Sequence, residues 1–313
     1  MSTILGTLRA KSFALLALIS LVILAGCGSS TTSTGGSTGS TGTSNSSIHL
    51  TVGGKLDTEA QLLTSLYAQV LEKAGFKVTE KPKLGTNDIV FNAITKGDID
   101  LYPEFTSTGL ARLGVKTTHD TNQDYQAVKS GYEQKYKITW LDLSPLNDTY
   151  GICTSKANAS KYNVTKVSDL APLASKLTIA TPPDGKSDPN VLPGLKPTYG
   201  FDFANTKVLD AAVTYSAVQQ GQADFNICYT TSALITKDNF VLLKDDKNLF
   251  PNYQVAPIIR QDSLSKSADI ATSLNKLAPL LTSEVSSQLQ LKVINGATPH
   301  DVAREFLQSK GLV

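Results

Sequence analysis

The sequence is poor in the side chains that carry most protein chemistry. Its 313 residues include three histidines, three cysteines and 7% aromatics. The histidines, His49, His119 and His300, are scattered, and none stands at metal-ligand or nucleophile spacing from a Cys, His or Asp. A metal centre and a catalytic triad are therefore not expected, and the chain is not read as an enzyme. "GGKLDTE" (53–59) is a glycine-rich strand exit without the later glycines of a dinucleotide or phosphate loop, so no cofactor is expected. Charge of either sign is also lacking in excess. There are 29 basic and 27 acidic residues and no basic stripe, which excludes nucleic acid as a partner.

What is present begins with an export signal over residues 1–26. Arg9 and Lys11 form its positive start, and "SFALLALISLVILAG" supplies an apolar run too short to span a bilayer comfortably. "LAGC" (24–27) resembles the bacterial lipobox, in which the signal is cut before a cysteine that then carries lipid. Cys27 is thus the expected lipidation site, with two acyl chains sufficing for stable anchoring to the outer face of the bacterial cytoplasmic membrane. Residues 27–47, the lipidated cysteine and a Ser/Thr/Gly run, read as a flexible tether spanning roughly 25 Å. Cys153 and Cys228 remain. They are either a disulfide, which an exported compartment permits, or two buried thiols in adjacent strands. Cys228 has no basic neighbour to make it a nucleophile.

From Ile48 onward apolar strand patterns alternate with amphipathic helix patterns, which predicts an α/β architecture with largely parallel sheets. "DTEAQLLTSLYAQVLEKAGF" is the strongest helix, capped by Asp57 or Thr58 and ended by Gly75. The folded length exceeds what one core usually holds, so two lobes are expected. Open α/β sheets bind ligands beyond the carboxyl ends of their strands, which directs attention to strand exits.

The few aromatics are informative by position. Tyr102 and Phe105 stand in "LYPEFTSTGL", Tyr150 in "PLNDTYG", Tyr229 in "ICYTTS" and Tyr253 in "FPNYQV", each among hydroxyl or amide neighbours. A tyrosine at a strand end is ordinarily rim packing. Several together can instead form a cage whose π faces attract a cation, above all a quaternary ammonium that offers no hydrogen.

These stretches carry a resemblance. "LYPEFTSTG", "LNDTYG", "LPGLKPTYGFDF", "CYTTSALI", "LLKDDKNLFPNYQVAPIIR" and "DVAREFLQSKGL" occur in the order seen in substrate-binding lipoproteins of glycine betaine/choline/carnitine-type (osmoprotectant) ABC importers. The resemblance implies a two-lobed, type II periplasmic-binding-protein-like fold with two α/β lobes joined by a two-strand hinge. Residues 48–142 and 250–313 would form lobe I and residues 143–249 lobe II. It also implies a cage of Phe105, Tyr150, Tyr229 and Tyr253, with Tyr102 as a near neighbour and Thr108 at a hydroxyl position. Lys55 stands where some relatives have Gln, and Asp148 where Asn is common. The two would either pair with each other, stand as solvated charges at the cleft rim, or act on the guest, Lys55 as a carboxylate clamp and Asp148 as an attraction for a cation. The implied partners are a small cationic or zwitterionic solute (glycine betaine, choline, carnitine or proline betaine) and a membrane permease served by a monomer. The alternatives are the same fold binding an amino acid or sulfur-containing betaine through Lys55 and, more remotely, an exported enzyme or adhesion module.

Overall fold

The computed structural model describes residues 44–313. The expected signal, Cys27 and nearly all of the tether lie outside the described residues. The end of the expected tether is inside them. Asn45–Ser47 form a turn of 3-10 helix, and the Asn45 amide donates to the Ala74 carbonyl (2.9 Å) and to Asp269 (2.8 Å). Side-chain hydrogen bonds therefore dock the chain against the body slightly before Ile48.

Among the described residues, ten strands form two five-stranded sheets. The first holds β1 (His49–Lys55), β2 (Lys77–Gly85), β3 (Leu101–Phe105), β4 (Ile138–Trp140) and, from far along the chain, Val255–Arg260. The second holds β5 (Tyr150–Ser155), β6 (Thr178–Thr181), β7 (Asn205–Val208), β8 (Phe225–Tyr229) and β9 (Phe240–Leu242). With Val255–Arg260 as β10, the strand orders are β2-β1-β3-β10-β4 and β7-β6-β8-β5-β9.

The sheets are mixed rather than largely parallel. β1 runs parallel to β2 and β3, and β6 parallel to β7 and β8. β10 is antiparallel to β3 and β4, and β5 to β8 and β9. The reversed strand in each sheet is the first one after the chain crosses between lobes, so it arrives from the opposite direction. "ITWLDLSPLNDTYGICTSK", read as two strands about a turn, is such a crossing: β4 and β5 end up in different sheets. Hydrophobic periodicity identifies a strand but carries no sign for its direction.

Each sheet is covered on both faces, as strand alternation requires. In the first, Leu101, Phe105, Val255 and Ile259 join one core with the helix Thr58–Lys73, while Tyr102, Ala256 and Ile258 join another with Tyr132 and Trp140. The helix Thr58–Lys73 starts where Asp57 accepts from the Ala60 amide at 2.7 Å. A second helix, Thr106–Leu113, follows β3 directly. Its Gly109 permits this packing, since a Cβ there would stand 2.7 Å from the Trp140 ring.

Two antiparallel crossings join the lobes. Asn147 bridges Gln254, the Asp148 amide donates to the Tyr253 carbonyl (3.0 Å), and the Tyr253 amide donates to Asn147 Oδ1 (2.7 Å). Beside them, the helix Ser283–Ile294 meets the helix Ala233–Lys237 of the other lobe through Thr236 and Ser287, whose hydroxyls lie 2.9 Å apart.

Candidate functional site

The carboxyl ends of β1, β3 and β8 and the amino ends of β5 and β10 all meet at one place. The register states this directly: Tyr150 lies opposite Tyr229 across β5–β8, and Val255 lies opposite Phe105 across β10–β3. Reversed strands thus bring their first residues to the same edge as the last residues of parallel strands. Tyr150 reaches the site in that way, as the first residue of β5, and Tyr253 from the crossing just before β10; neither is a strand exit.

A cavity of about 190 Å³ occupies the junction, lined by Lys55, Asp57, Asn87, Phe105, Thr108, Asp148, Tyr150, Tyr229 and Tyr253. It gathers side chains from both lobes and the hinge. Lys55, Phe105 and Tyr150 are buried at its floor, Thr108, Asp148, Tyr229 and Tyr253 are half-buried, and Asp57 and Asn87 are exposed at its mouth. The Tyr150 and Tyr229 rings lie 5.3 Å apart at 36°, and Tyr253 meets Tyr150 at 6.5 Å and 89°. Three faces set at different angles around one volume can surround a compact cationic group.

Tyr102 does not join them. At odd spacing from the cleft-lining Phe105 on β3, it points to the opposite face of the sheet, is fully buried and donates its hydroxyl to Glu104 (2.7 Å). The Lys55–Asp148 pair, one of the alternatives left open by the sequence, does not form. Lys55 instead pairs with the buried Glu104, Nζ to Oε1 at 2.6 Å, with its ammonium 5.1 Å from the Phe105 ring centroid. A carboxylate buried in an apolar strand needs a cation, and Lys55 at the end of β1 is placed to supply it. Phe105 lines the cavity, yet its ring already has a cation nearby.

Asp148 receives the Thr231 hydroxyl at 2.5 Å. Thr231 in turn offers its carbonyl to Gln290 (2.9 Å), and Gln290 also donates to Glu59 (3.2 Å), which accepts from the Ser286 hydroxyl as well. Burial pushes the Asp148 carboxyl up to about 6, opposed by the Thr231 hydrogen bond and assisted by the charge of Asp57. Burial, and then the charge of Asp148, hold Glu59 well above the usual carboxylate range.

Asp57, Asn87 and Glu104 were not expected at the site. Asp57 and Asn87 begin helices directly after β1 and β2, and helix starts lie at the same edge as strand carboxyl ends. That placement was the available signal. Behind Tyr150, Cys153 and Cys228 form a disulfide between β5 and β8. A larger cavity of about 330 Å³ runs beside the second crossing, between Thr165, Lys244 and Phe250; it shares Tyr150 but gathers none of the other expected residues.

Residues 48–309 match the family described as the substrate-binding domain of ABC-type glycine betaine transport systems. The chain is 29% identical to the glycine betaine-binding protein YehZ of Escherichia coli K12, over 83% of this chain and 90% of that one. It is 28% identical to the ergothioneine transport permease/ergothioneine binding protein EgtU of Helicobacter pylori over 84% of its own length; it spans about half (48%) of that relative. A crystal structure of a glycine betaine/carnitine/choline ABC transporter superposes with a TM-score of 0.80 at 25% identity, covering 84% of this chain and 99% of that one.

Proposed function

The chain belongs to the substrate-binding family of glycine betaine-type ABC transport systems and is an extracytoplasmic solute-binding protein, not an enzyme; from that premise we propose that it captures a quaternary-ammonium solute in the cage formed by Tyr150, Tyr229 and Tyr253 over Phe105, and hands it to a membrane permease. The observation that carries this reading is the shared cavity with its three tyrosine rings at different angles and Asp148 in the wall. Each ring face contributes roughly 0.5–2 kcal/mol to a cation, so three supply at most about 6 of the ~8 kcal/mol of a micromolar complex, and burial of the guest together with the charge of Asp148 must supply the rest and meet the binding costs. Guests of the class named for the relatives fit the reading: glycine betaine, carnitine, choline, proline betaine and sulfur-containing betaines. Thr108 offers a hydroxyl to the polar end of such a guest. The Lys55–Glu104 pair weighs against the reading in which Lys55 clamps a carboxylate, since its charge is already matched.

Closure of the two lobes over the guest, by bending at the crossings 141–149 and 243–254, would exclude water from the cage. In the same proposal Cys27 carries the lipid and the protein works as a tethered monomer. Calorimetric titration of the purified protein with the five solutes and free amino acids tests the core of it. Micromolar heats from at least one quaternary ammonium are expected, and Tyr229→Ala or Tyr253→Ala should each weaken them by more than tenfold. Unchanged affinity in both variants, or binding confined to amino acids, would remove the cage from the account. Cys27→Ser should release the protein from the membrane fraction.

A further inference from the structure

Charge at the cleft is unbalanced in a way that the cage alone does not require. Lys55 is the one cationic side chain in the cavity wall among the described residues, and Glu104 takes it at 2.6 Å while Phe105 lies under its other side. Two carboxylates, Asp57 and Asp148, share that wall, and among the described residues neither forms an ion pair. A third, Glu59, stands behind Asp148 on the Thr231–Gln290 chain of hydrogen bonds.

We infer that this site selects a guest of net positive charge, a quaternary ammonium alcohol such as choline, over zwitterions that carry their own carboxylate, and that Asp148 is the residue that sets the preference. The inference rests on the cage reading and deepens it. A zwitterion brings its carboxylate into a wall that already holds two, where the single ammonium is spent on Glu104. A cation without a carboxylate meets the rings and the acids with nothing to repel it. Partial exclusion of water magnifies the difference, because screening inside the cleft is weaker than in bulk.

The groups around Asp148 are Asp57 and Glu59 from the helix Thr58–Lys73 and its cap, Thr231 and Tyr215 from the second lobe, and Lys55 and the cage tyrosines in the same cavity wall. In the empty cleft the Asp148 proton leaves at about pH 6. A bound cation favours the ionised form, so the cation must displace that proton below pH 6 and its affinity falls there. A zwitterion, attracted by its ammonium and repelled by its carboxylate, should lose less.

The test is calorimetry on the purified full chain with tetramethylammonium, choline and glycine betaine at pH 7.5 and 5.0, in the native protein and in Asp148→Asn. The expected result is choline binding at least tenfold tighter than glycine betaine at pH 7.5, with the ratio narrowing at pH 5.0. In Asp148→Asn the ratio should fall to within about threefold of unity. If that variant does not fold, Asp57→Asn, which keeps the helix cap, should narrow the ratio by a smaller factor, and a ratio it leaves unmoved counts against the inference. Glycine betaine binding as tightly as choline in the native protein overturns the charge preference while leaving the cage intact. A ratio unmoved by Asp148→Asn overturns the role of Asp148. No heat from any of the three, tetramethylammonium included, removes the cage reading and this inference with it.

Discussion

The two lobes share a strand order but give the cleft different things. The sheet of the second lobe contributes Tyr150 and Tyr229, side by side across one ladder, with the Cys153–Cys228 bridge linking the same two strands. The first lobe contributes Lys55, Asp57, Asn87, Phe105 and Thr108, and among the described residues its only cation–carboxylate pair at the site is the buried Lys55–Glu104. One lobe presents π faces on a cross-linked pair of strands; the other presents charge and hydroxyls around an internal salt bridge. A guest that touched one lobe alone would find half of what it needs, which gives closure a reason in the chemistry of the two walls.

The contrast in how the lobes are held can be broken from either side. Replacing both Cys153 and Cys228 by Ser removes a link across a sequence separation of 75 residues, a loop whose closure stabilises by about 4 kcal/mol in the chain-entropy account. Denaturant unfolding with and without reductant should show that loss in the native protein only, the variant being indifferent to reductant. On the other side, Glu104→Gln strands Lys55 in a buried position without its carboxylate. A cost of about 3 kcal/mol in the same assay is expected. A midpoint unmoved by Glu104→Gln would mean that the pair is not what holds the first lobe's edge of the cleft.

How much of this was legible beforehand depended on what each signal encodes. Alternation and capping located β1, the helix Thr58–Lys73 and β3, because those patterns reflect burial on one face. They missed the direction of β5 and β10, since a strand reads the same in either sense. Tyr150 and Tyr253 therefore read as strand exits although Tyr150 begins β5 and Tyr253 precedes β10, and the family resemblance points to the same two residues independently of that reading. Tyr102 and Phe105 look alike in sequence, yet strand alternation sends them to opposite faces; the period-two rule was enough to separate them. Glu104 was passed over although a carboxylate within "LYPEF" needs a buried partner, and the alternatives weighed for Lys55 did not include it because pairing depends on which strands are neighbours. The helix Thr106–Leu113 went unseen because its start is rich in hydroxyls and has a glycine inside it, both weak helix signals.

A smaller effect sharpens the comparison within the cage itself. If the second lobe and hinge supply the working rings, Phe105→Leu should weaken quaternary-ammonium binding by no more than about threefold, against more than tenfold for Tyr229→Ala. Phe105 already has the Lys55 ammonium 5.1 Å from its ring centre, so part of its attraction for a cation is used internally. Equal losses in the two variants would place both lobes' rings on the same footing and dissolve the division drawn above.

The smallest effect concerns the acid at the hinge, and its sign is the informative part. Asp148 has a folded-state pKa raised from 3.8 to about 6, chiefly by burial, so between those values the folded protein holds a proton that the unfolded chain has released. Its contribution to stability is therefore most favourable below about pH 4 and is lost as pH rises through 6, the reverse of a salt-bridged aspartate. Asp148→Asn should accordingly stabilise the empty protein by about 1 kcal/mol at pH 7.5, allowing for solvent at the cleft mouth, and change it little at pH 4. Thermal melts at the two pH values read this directly. An asparagine variant that is less stable at pH 7.5 would mean that the Thr231 hydrogen bond outweighs burial. A more stable one shows an ionised acid kept in the cleft at a cost to the fold, as the proposed recognition of a positively charged guest requires.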